Sequence, residues 1–110
     1  MIFSSSEDRL GPPDVPPVTR DGVTYYQADD GRDVQHDQVG GVLVASDAES
    51  NKTLWTLAVY ANPIDPKMEE DAQWVFFTEL AFAPDGRLRI VNEEGRTFFV
   101  DVKAPQVAVG

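Results

Sequence analysis

Short segments rich in β-branched and aromatic residues follow one another along most of the chain, and each one ends at a turn sequence. Apolar and polar residues alternate over residues 88–91 and 97–102, which is the period of a strand with one buried face. Turn sequences such as Pro84-Asp85-Gly86 separate the segments. The sequence therefore predicts an all-β domain of six or seven strands, built as a small antiparallel sheet, a sandwich or a blade-like meander, with at most one short helix.

Two of the predicted strands, residues 53–61 and 74–83, are apolar on both faces. In the second, simple alternation places Phe76 and Leu80 on one face and Phe77 on the other. A strand that is apolar on both faces is typical of the covered centre of a sheet, where we place residues 53–61. The aromatic residues exceed what one small sheet buries, so some are expected to form an interface. The interface candidates are Trp55, Tyr60, Trp74, Phe76 and Phe77.

The segment between these two strands carries the one helix signal in the chain. Asp65 is a typical N-cap residue, and Pro66 suits the first helical position. The acidic residues that follow are favoured by the macrodipole at a helix N-terminus, so one or two helical turns are predicted over 66–72. The same acids form a candidate acidic patch for a basic partner, consisting of Asp65, Glu69, Glu70 and Asp71.

Residues 1–20 differ from the rest of the chain because they hold half of its 8 prolines. Proline lacks a backbone donor and biases the preceding residue toward extended backbone, so neither a helix nor a paired strand is expected there. We predict a flexible Pro/Ser-rich N-terminal arm over residues 1–20 and a single β domain over residues 21–110. The arm is interpreted as a plain tail, with a polyproline II ligand for an SH3- or WW-like partner as the alternative.

The charge balance and the lack of cysteine exclude several classes of function. The 110 residues include 19 Asp and Glu against 9 Lys and Arg, a net charge of −10, with no Cys and one His. Without Cys there is no Cys-ligated zinc finger, iron–sulfur cluster, disulfide scaffold or thiol nucleophile, and one His does not build a multi-His metal centre. The phosphate backbone would be repelled by so acidic a surface, which argues against nucleic acid as a partner. No cofactor is predicted.

Two features bear on location. The longest uncharged stretch in the apolar middle of the chain, residues 53–63, is about half the length of a membrane-spanning helix. The first eight residues have neither the basic start nor the apolar stretch of a secretory signal. No membrane association is therefore predicted, and the cytoplasm is the expected location, in agreement with the absence of Cys.

Candidate catalytic and metal-binding residues occur between residues 29 and 37. As a general base His36 would need a nucleophile, which Ser46 or Ser50 could supply, but no nucleophile-elbow sequence is present. Four aspartates suggest a site for a hard cation such as Ca²⁺, although the alternating Asp pattern of a calcium loop is absent. We interpret His36 as an exposed loop residue and the aspartates as a solvated turn. These aspartates are Asp29, Asp30, Asp33 and Asp37.

Glu79 interrupts an otherwise apolar strand, and a buried carboxylate is costly unless it is paired. Arg87 and Arg89 follow across the predicted hairpin and are the natural partners. An internal salt bridge is therefore predicted, and an acid with a raised pKa in a cleft is the functional alternative.

Two stretches resemble β-propeller blades. Residues 40–48 (Gly-Gly-Val-Leu-Val-Ala-Ser-Asp-Ala), followed by Leu54-Trp55, resemble the blade repeat of quinoprotein-type propellers. Residues 80–88 (Leu-Ala-Phe-Ala-Pro-Asp-Gly-Arg-Leu), with Glu94-Gly95-Arg96 and Val100-Asp101, resemble a blade hairpin of the WD40 or NHL type. A propeller needs at least four blades of about 40–45 residues, and this chain would supply two, so the resemblance implies several copies in a closed propeller. The chain is also similar to small uncharacterised bacterial proteins, a likeness that implies no activity.

These observations favour a non-catalytic role. We predict an acidic β module that self-associates, as a homo-oligomer, or binds a protein partner through a sheet face. The alternative is an inhibitor or immunity-type protein that covers a basic toxin or enzyme, because a net charge of −10 speeds association with a cationic partner. A small-ligand or hydrolytic enzyme that uses His36 is the third possibility considered.

Overall fold

A computed structural model of the chain describes residues 15–110. They form eight strands in two four-stranded antiparallel sheets, and in each sheet the strands follow one another in chain order. The predicted all-β class is confirmed, with eight strands instead of six or seven. Sheet 1 consists of β1 (Val18–Arg20), β2 (Val23–Gln27), β3 (Val42–Asp47) and β4 (Thr53–Ala58). Sheet 2 consists of β5 (Phe77–Phe82), β6 (Leu88–Asn92), β7 (Thr97–Asp101) and β8 (Gln106–Val109).

Strand β1 lies within the segment that its prolines predict to be an arm. It pairs with β2, with Val18 opposite Tyr25, because Asp21 and Gly22 both adopt positive φ angles of 53° and 79°. Two successive residues with positive φ form the tight turn that suits a β-hairpin. The prediction that no paired strand forms within residues 1–20 is therefore wrong for Val18–Arg20. Residues 1–14, the rest of the predicted arm, lie outside the described part of the chain.

The main core lies between the two sheets. The Tyr25 ring meets the Phe82 ring edge-on, with centroids 5.7 Å apart, and Tyr60 stacks on Phe98 at 5.1 Å. These contacts join sheet 1 to sheet 2 in a sandwich. The buried residues of this core are Tyr25, Leu43, Ala45, Val59, Phe77, Leu80, Leu88, Ile90, Phe98 and Val100.

Strand β3 is the strand that is covered on both faces. One face belongs to the main core, and on the other Val42 and Val44 are buried beneath the loop of residues 28–41. This loop contains a short 3₁₀ helix, Gly31–Val34, and a Cβ on Gly31 would lie 2.5 Å from the Cγ2 atom of Val42. Strand β4, which we predicted to be the covered centre, is instead an edge strand. The chain leaves sheet 1 after β4 and begins sheet 2, so none of the strands described in residues 15–110 lies beyond it.

A β-bulge changes which aromatic residues of β5 face the core. Phe77 lies opposite Asn92 while Glu79 lies opposite Val91, so Thr78 is the extra residue. The extra residue shifts the alternation by one position, and Phe77 and Leu80 both reach the buried face. The prediction that Phe77 and Leu80 lie on opposite faces is therefore wrong.

The predicted helix over residues 66–72 is reduced to a turn and a short 3₁₀ helix, Asp71–Gln73. The Asp65 carboxylate accepts a hydrogen bond from the Lys67 N–H at 2.9 Å, as a capping residue would. The Gln73 side chain then bonds back to the N–H and C=O of Asp65, at 2.7 and 3.0 Å, which closes the segment into a loop. Among the residues described, no helix is long and apolar enough to cross a membrane.

Candidate functional site

The five aromatic interface candidates divide into core and partly covered residues. Phe76 and Phe77 are fully buried, so neither is available to a partner while the sandwich is folded. Trp55 is half-buried against Tyr25, with ring centroids 6.0 Å apart. Trp74 packs edge-on against Phe76 and Tyr60 stacks on Phe98. Tyr60 lines a cavity that opens to the surface.

The predicted acidic patch is partly neutralised within the chain. The Arg32 guanidinium bridges Asp30, at 2.7 Å, and Glu70, at 2.8 Å, which ties the 28–41 loop to the 62–75 segment. Asp65 caps its own turn. Glu69 is exposed, and Asp71 begins the second 3₁₀ helix. Asp65 and Glu70 are therefore engaged within the chain and are not free carboxylates.

The aspartates near His36 are not brought together as a metal site. Asp30 caps the first 3₁₀ helix and binds Arg32, and the three other aspartates are exposed. Within residues 15–110, no group of three or more His, Asp or Glu side chains is placed to hold a metal ion.

His36 is a structural contact between the loop and sheet 1. Its Nε2 atom lies 2.9 Å from the Thr56 hydroxyl, so it is half-buried and not the exposed residue we predicted. Both candidate nucleophiles bond to nearby backbone: the Ser46 hydroxyl donates to Thr24 C=O at 3.5 Å, and Ser50 Oγ accepts from Lys52 N–H at 3.3 Å. The geometry brings neither serine to His36, and the hydroxyl beside its Nε2 atom is that of Thr56.

Replacing Asp30 with alanine is expected to lower the free energy of unfolding by about 1 kcal/mol at neutral pH, because a helix cap is lost. The pKa of Asp30 lies below its ordinary value of 3.8, chiefly through the hydrogen bond from the Arg32 side chain. A lowered folded-state pKa means that the contribution is complete above 3.8 and is lost as pH falls through the lower folded value. The free energies of unfolding of the native chain and of D30A, measured with urea, should therefore become equal in acid. The control is D33A, at an exposed aspartate of the same helix, which should change the free energy of unfolding little at either pH.

Glu79 pairs with Arg89, as predicted, at a distance of 2.9 Å. The pair is exposed and not buried, with 60% of the Glu79 side chain accessible. The bulge at Thr78 is the reason, because it directs Glu79 to the outer face of sheet 2. Glu79 is therefore not enclosed in a cleft, and Arg87 pairs with Asp85 instead.

The edges of the two sheets differ in how they are protected. Proteins block exposed edges with charges, proline or bulges, because unpaired N–H and C=O groups bind any available strand. Strand β1 is preceded by Pro16-Pro17 and ends in Arg20, β4 has a bulge at Leu54, and β5 has a bulge and Glu79. Strand β8 follows Pro105 but contains no charge, proline or bulge. Of the four described edges, β8 is the one with no such protection within the strand.

The hydrogen-bond register shows which backbone groups of β8 face outward. The Gly110 N–H donates to Thr97 C=O at 2.9 Å, and Ala108 lies opposite Phe99. Because backbone groups alternate in direction along an antiparallel strand, Ala108 and Gly110 bond to β7. The N–H and C=O groups of Val107 and Val109 then point away from β7, and no strand among residues 15–110 covers them. We call these outward-facing groups the β8 edge.

A cavity of about 390 Å³ opens beside the β8 edge. Val109 lies opposite Phe98, so its side chain points to the same inner face of sheet 2, yet it is 67% exposed. The opposite wall comes from the segment after β4. We call this space the edge cavity. Its lining residues are Val59, Tyr60, Ala61, Asn62, Pro63, Val75, Glu94, Arg96, Phe98 and Val109.

The wall of the edge cavity is held by hydrogen bonds between distant segments. The Tyr60 hydroxyl donates to Val75 C=O at 2.6 Å, and the buried Asn62 accepts from Val75 N–H at 2.9 Å. Burial, with Glu93 and Glu94 nearby, raises the pKa of the Tyr60 phenol, so it stays a neutral donor. The wall is therefore preformed, and its apolar part includes Tyr60 and Val59.

Comparison of this chain with models of protein families, with characterised proteins and with solved structures finds no match. The resemblance to propeller blades therefore stays a prediction. Each sheet does have the four-stranded antiparallel form of a blade.

Proposed function

We propose that this chain is a non-catalytic protein-binding module that accepts an extended segment of another polypeptide at the β8 edge. The observation that carries the proposal is the coincidence of an unprotected strand edge with a cavity beside it that is lined by both apolar and polar side chains. In strand addition, backbone hydrogen bonds supply affinity and pockets for alternate side chains supply specificity. The β8 edge offers both unpaired backbone groups and a cavity for a side chain.

An added strand would lie about 4.8 Å beyond β8. Its alternate side chains would point to the same face as Val107 and Val109, which is the face that opens on the edge cavity. An apolar side chain of the bound segment would therefore enter the space between Val109 and Tyr60. Tyr60 and the Val59 and Val109 side chains that line this space favour an aromatic or long aliphatic side chain there.

The charges around the cavity suit a neutral or mixed segment. Glu94 and Arg96 both line it and carry opposite signs, and the Arg96 guanidinium lies over the Phe98 ring at 5.4 Å from the centroid. The β8 strand itself is uncharged. A strongly basic partner, as in the inhibitor or immunity-type alternative, is not what this edge selects.

Selection of displayed random peptides on the immobilised chain tests the proposal. Bound peptides are expected to alternate apolar residues, and V109K should weaken their binding at least about tenfold, because a charge replaces an apolar contact at the cavity rim. Binding of a synthetic copy of the selected peptide is measured by isothermal titration calorimetry. The matched control is L54K, at an exposed leucine on the β4 edge, 51% accessible, which should leave binding unchanged.

Three outcomes would contradict the proposal. The first is a selection that yields no peptide above background. The second is an equal loss of binding in V109K and L54K. The third is a set of Lys- and Arg-rich peptides without apolar alternation, with binding that E69Q abolishes, which would favour the immunity-type alternative.

A further inference from the structure

We infer that the segment bound at the β8 edge is strand β8 of a second copy of this chain, paired antiparallel about a two-fold axis at Ala108. This inference rests on the proposed function and names its partner. The product would be one continuous eight-stranded sheet formed by the two copies of sheet 2.

The sequence of β8 is suited to pairing with itself. Val107-Ala108-Val109 reads the same in both directions, so an antiparallel copy centred on Ala108 places each valine opposite a valine. The hydrogen-bonding pattern of β8 fits this pairing, because the N–H and C=O groups of Val107 and Val109 face outward and those of Ala108 do not. Val107 would then exchange two hydrogen bonds with Val109 of the partner subunit, and the symmetric pair two more.

The side chains along this pairing are also self-complementary. Val107 and Val109 lie on the inner face of sheet 2, opposite the core residues Val100 and Phe98. In the two-fold pair, Val107 of the partner subunit would lie beside Val109, at the mouth of the edge cavity. An apolar row would run without a break from one core to the other, and the 67% of Val109 that is accessible would be covered.

Charge favours this edge for a copy of an acidic chain. Two chains of net charge −10 repel each other, so they associate most easily where neither presents acidic residues. β8 has no charged residue, whereas the β5 edge carries Glu79. The two charged residues that line the edge cavity, Glu94 and Arg96, are of opposite sign.

The pairing is small, so the dimer is expected to be weak. A contact built on four residues from each chain is at the low end of protein interfaces, among transient complexes. Sedimentation equilibrium should therefore show a monomer at about 10 μM and a growing dimer fraction toward about 1 mM.

Two substitutions test the geometry. In V107P the lost N–H faces outward, so the β7–β8 bonds remain while the β8 edge loses a donor in each copy; the dimer dissociation constant should rise at least about tenfold. In A108C, on a chain without native Cys, the two thiols would face each other across a non-hydrogen-bonded pair. The Cα atoms of such a pair are about 4.5 Å apart, within the range of a disulfide. Mild oxidation should therefore produce a covalent dimer.

The control is A81C, an exposed alanine on the β5 edge strand, which should stay monomeric under the same oxidation. A chain that is monomeric up to about 1 mM, or a dimer that V107P leaves intact, overturns the inference. So does a disulfide that forms equally in A81C.

The failure of the dimer can be separated from the failure of the proposed function. The chain could be monomeric and still bind the selected peptides, with binding lost in V109K. That result would support the β8 edge as a binding site for another protein and would overturn only the inference that a second copy is the partner. A monomeric chain that selects no peptide overturns both. If the inference holds, the selected peptide should also dissociate the dimer, because both occupy one edge.

Discussion

Replacing Phe77 with alanine is expected to lower the free energy of unfolding by about 3–5 kcal/mol. Phe77 is fully buried between the two sheets, and its ring meets the Tyr60 ring at 6.2 Å. Removing the ring loses the free energy gained by transferring it out of water. It also leaves a cavity that the bulged strand β5 cannot close without moving its partner strand β6. Because Tyr60 lines the edge cavity, peptide binding should weaken in the same variant.

Urea unfolding followed by tryptophan fluorescence measures the effect, with F99A as the matched control. Phe99 lies on β7 opposite Ala108, on the outer face of sheet 2, and is half-buried under the Arg87 guanidinium at 4.5 Å. Its removal should cost about 1–2 kcal/mol. Equal losses for F77A and F99A would contradict the placement of the main core between the sheets.

Replacing Gly40 with alanine is the second large expected effect, a loss of about 3 kcal/mol. A Cβ at Gly40 would lie 2.3 Å from the Val75 carbonyl oxygen and 2.7 Å from Oδ1 of Asn62. Both atoms belong to the hydrogen-bonded wall of the edge cavity, where Val75 N–H bonds to Asn62 at 2.9 Å. The added methyl group must therefore displace backbone atoms. Such a displacement is costly in a closely packed interior.

The control for Gly40 is G22A, at a glycine with open space around the added Cβ but a φ of 79°. That variant should cost about 1–2 kcal/mol, because the strain comes from the left-handed backbone alone. Thermal unfolding by circular dichroism compares the two. A smaller loss for G40A than for G22A would contradict the close approach of the 62–75 segment to Gly40.

Local signals account for the parts of the fold that were predicted correctly. The turn at Pro84-Asp85-Gly86 follows from Asp85, whose carboxylate accepts a hydrogen bond from Arg87 N–H at 3.0 Å, and from Gly86, whose φ is 90°. The Glu79–Arg89 pair follows from their places on a hairpin. In each case the interacting residues are close in sequence, so residue type and spacing are sufficient.

The candidate site was only partly visible in the sequence. Tyr60 was among the predicted interface residues, but as one of five aromatics, two of which are core. Residues 106–109 carry a signal for a site, an uncharged strand in an acidic chain, that none of the predictions used. An uncharged strand indicates a binding edge only when the other three sheet edges are known to be protected, and that requires the tertiary structure.

Alternation and turn chemistry in the sequence determined that this protein is all-β, because each depends on neighbouring residues. Which strand is central, where the bulges fall and which edge is open were decided by the packing of one sheet on the other. The Gln27 side chain shows why: it is buried and accepts a hydrogen bond from Phe77 N–H at 2.6 Å, across 50 residues of chain. No local pattern encodes such a contact, because its stability depends on the tertiary burial that excludes water from both groups.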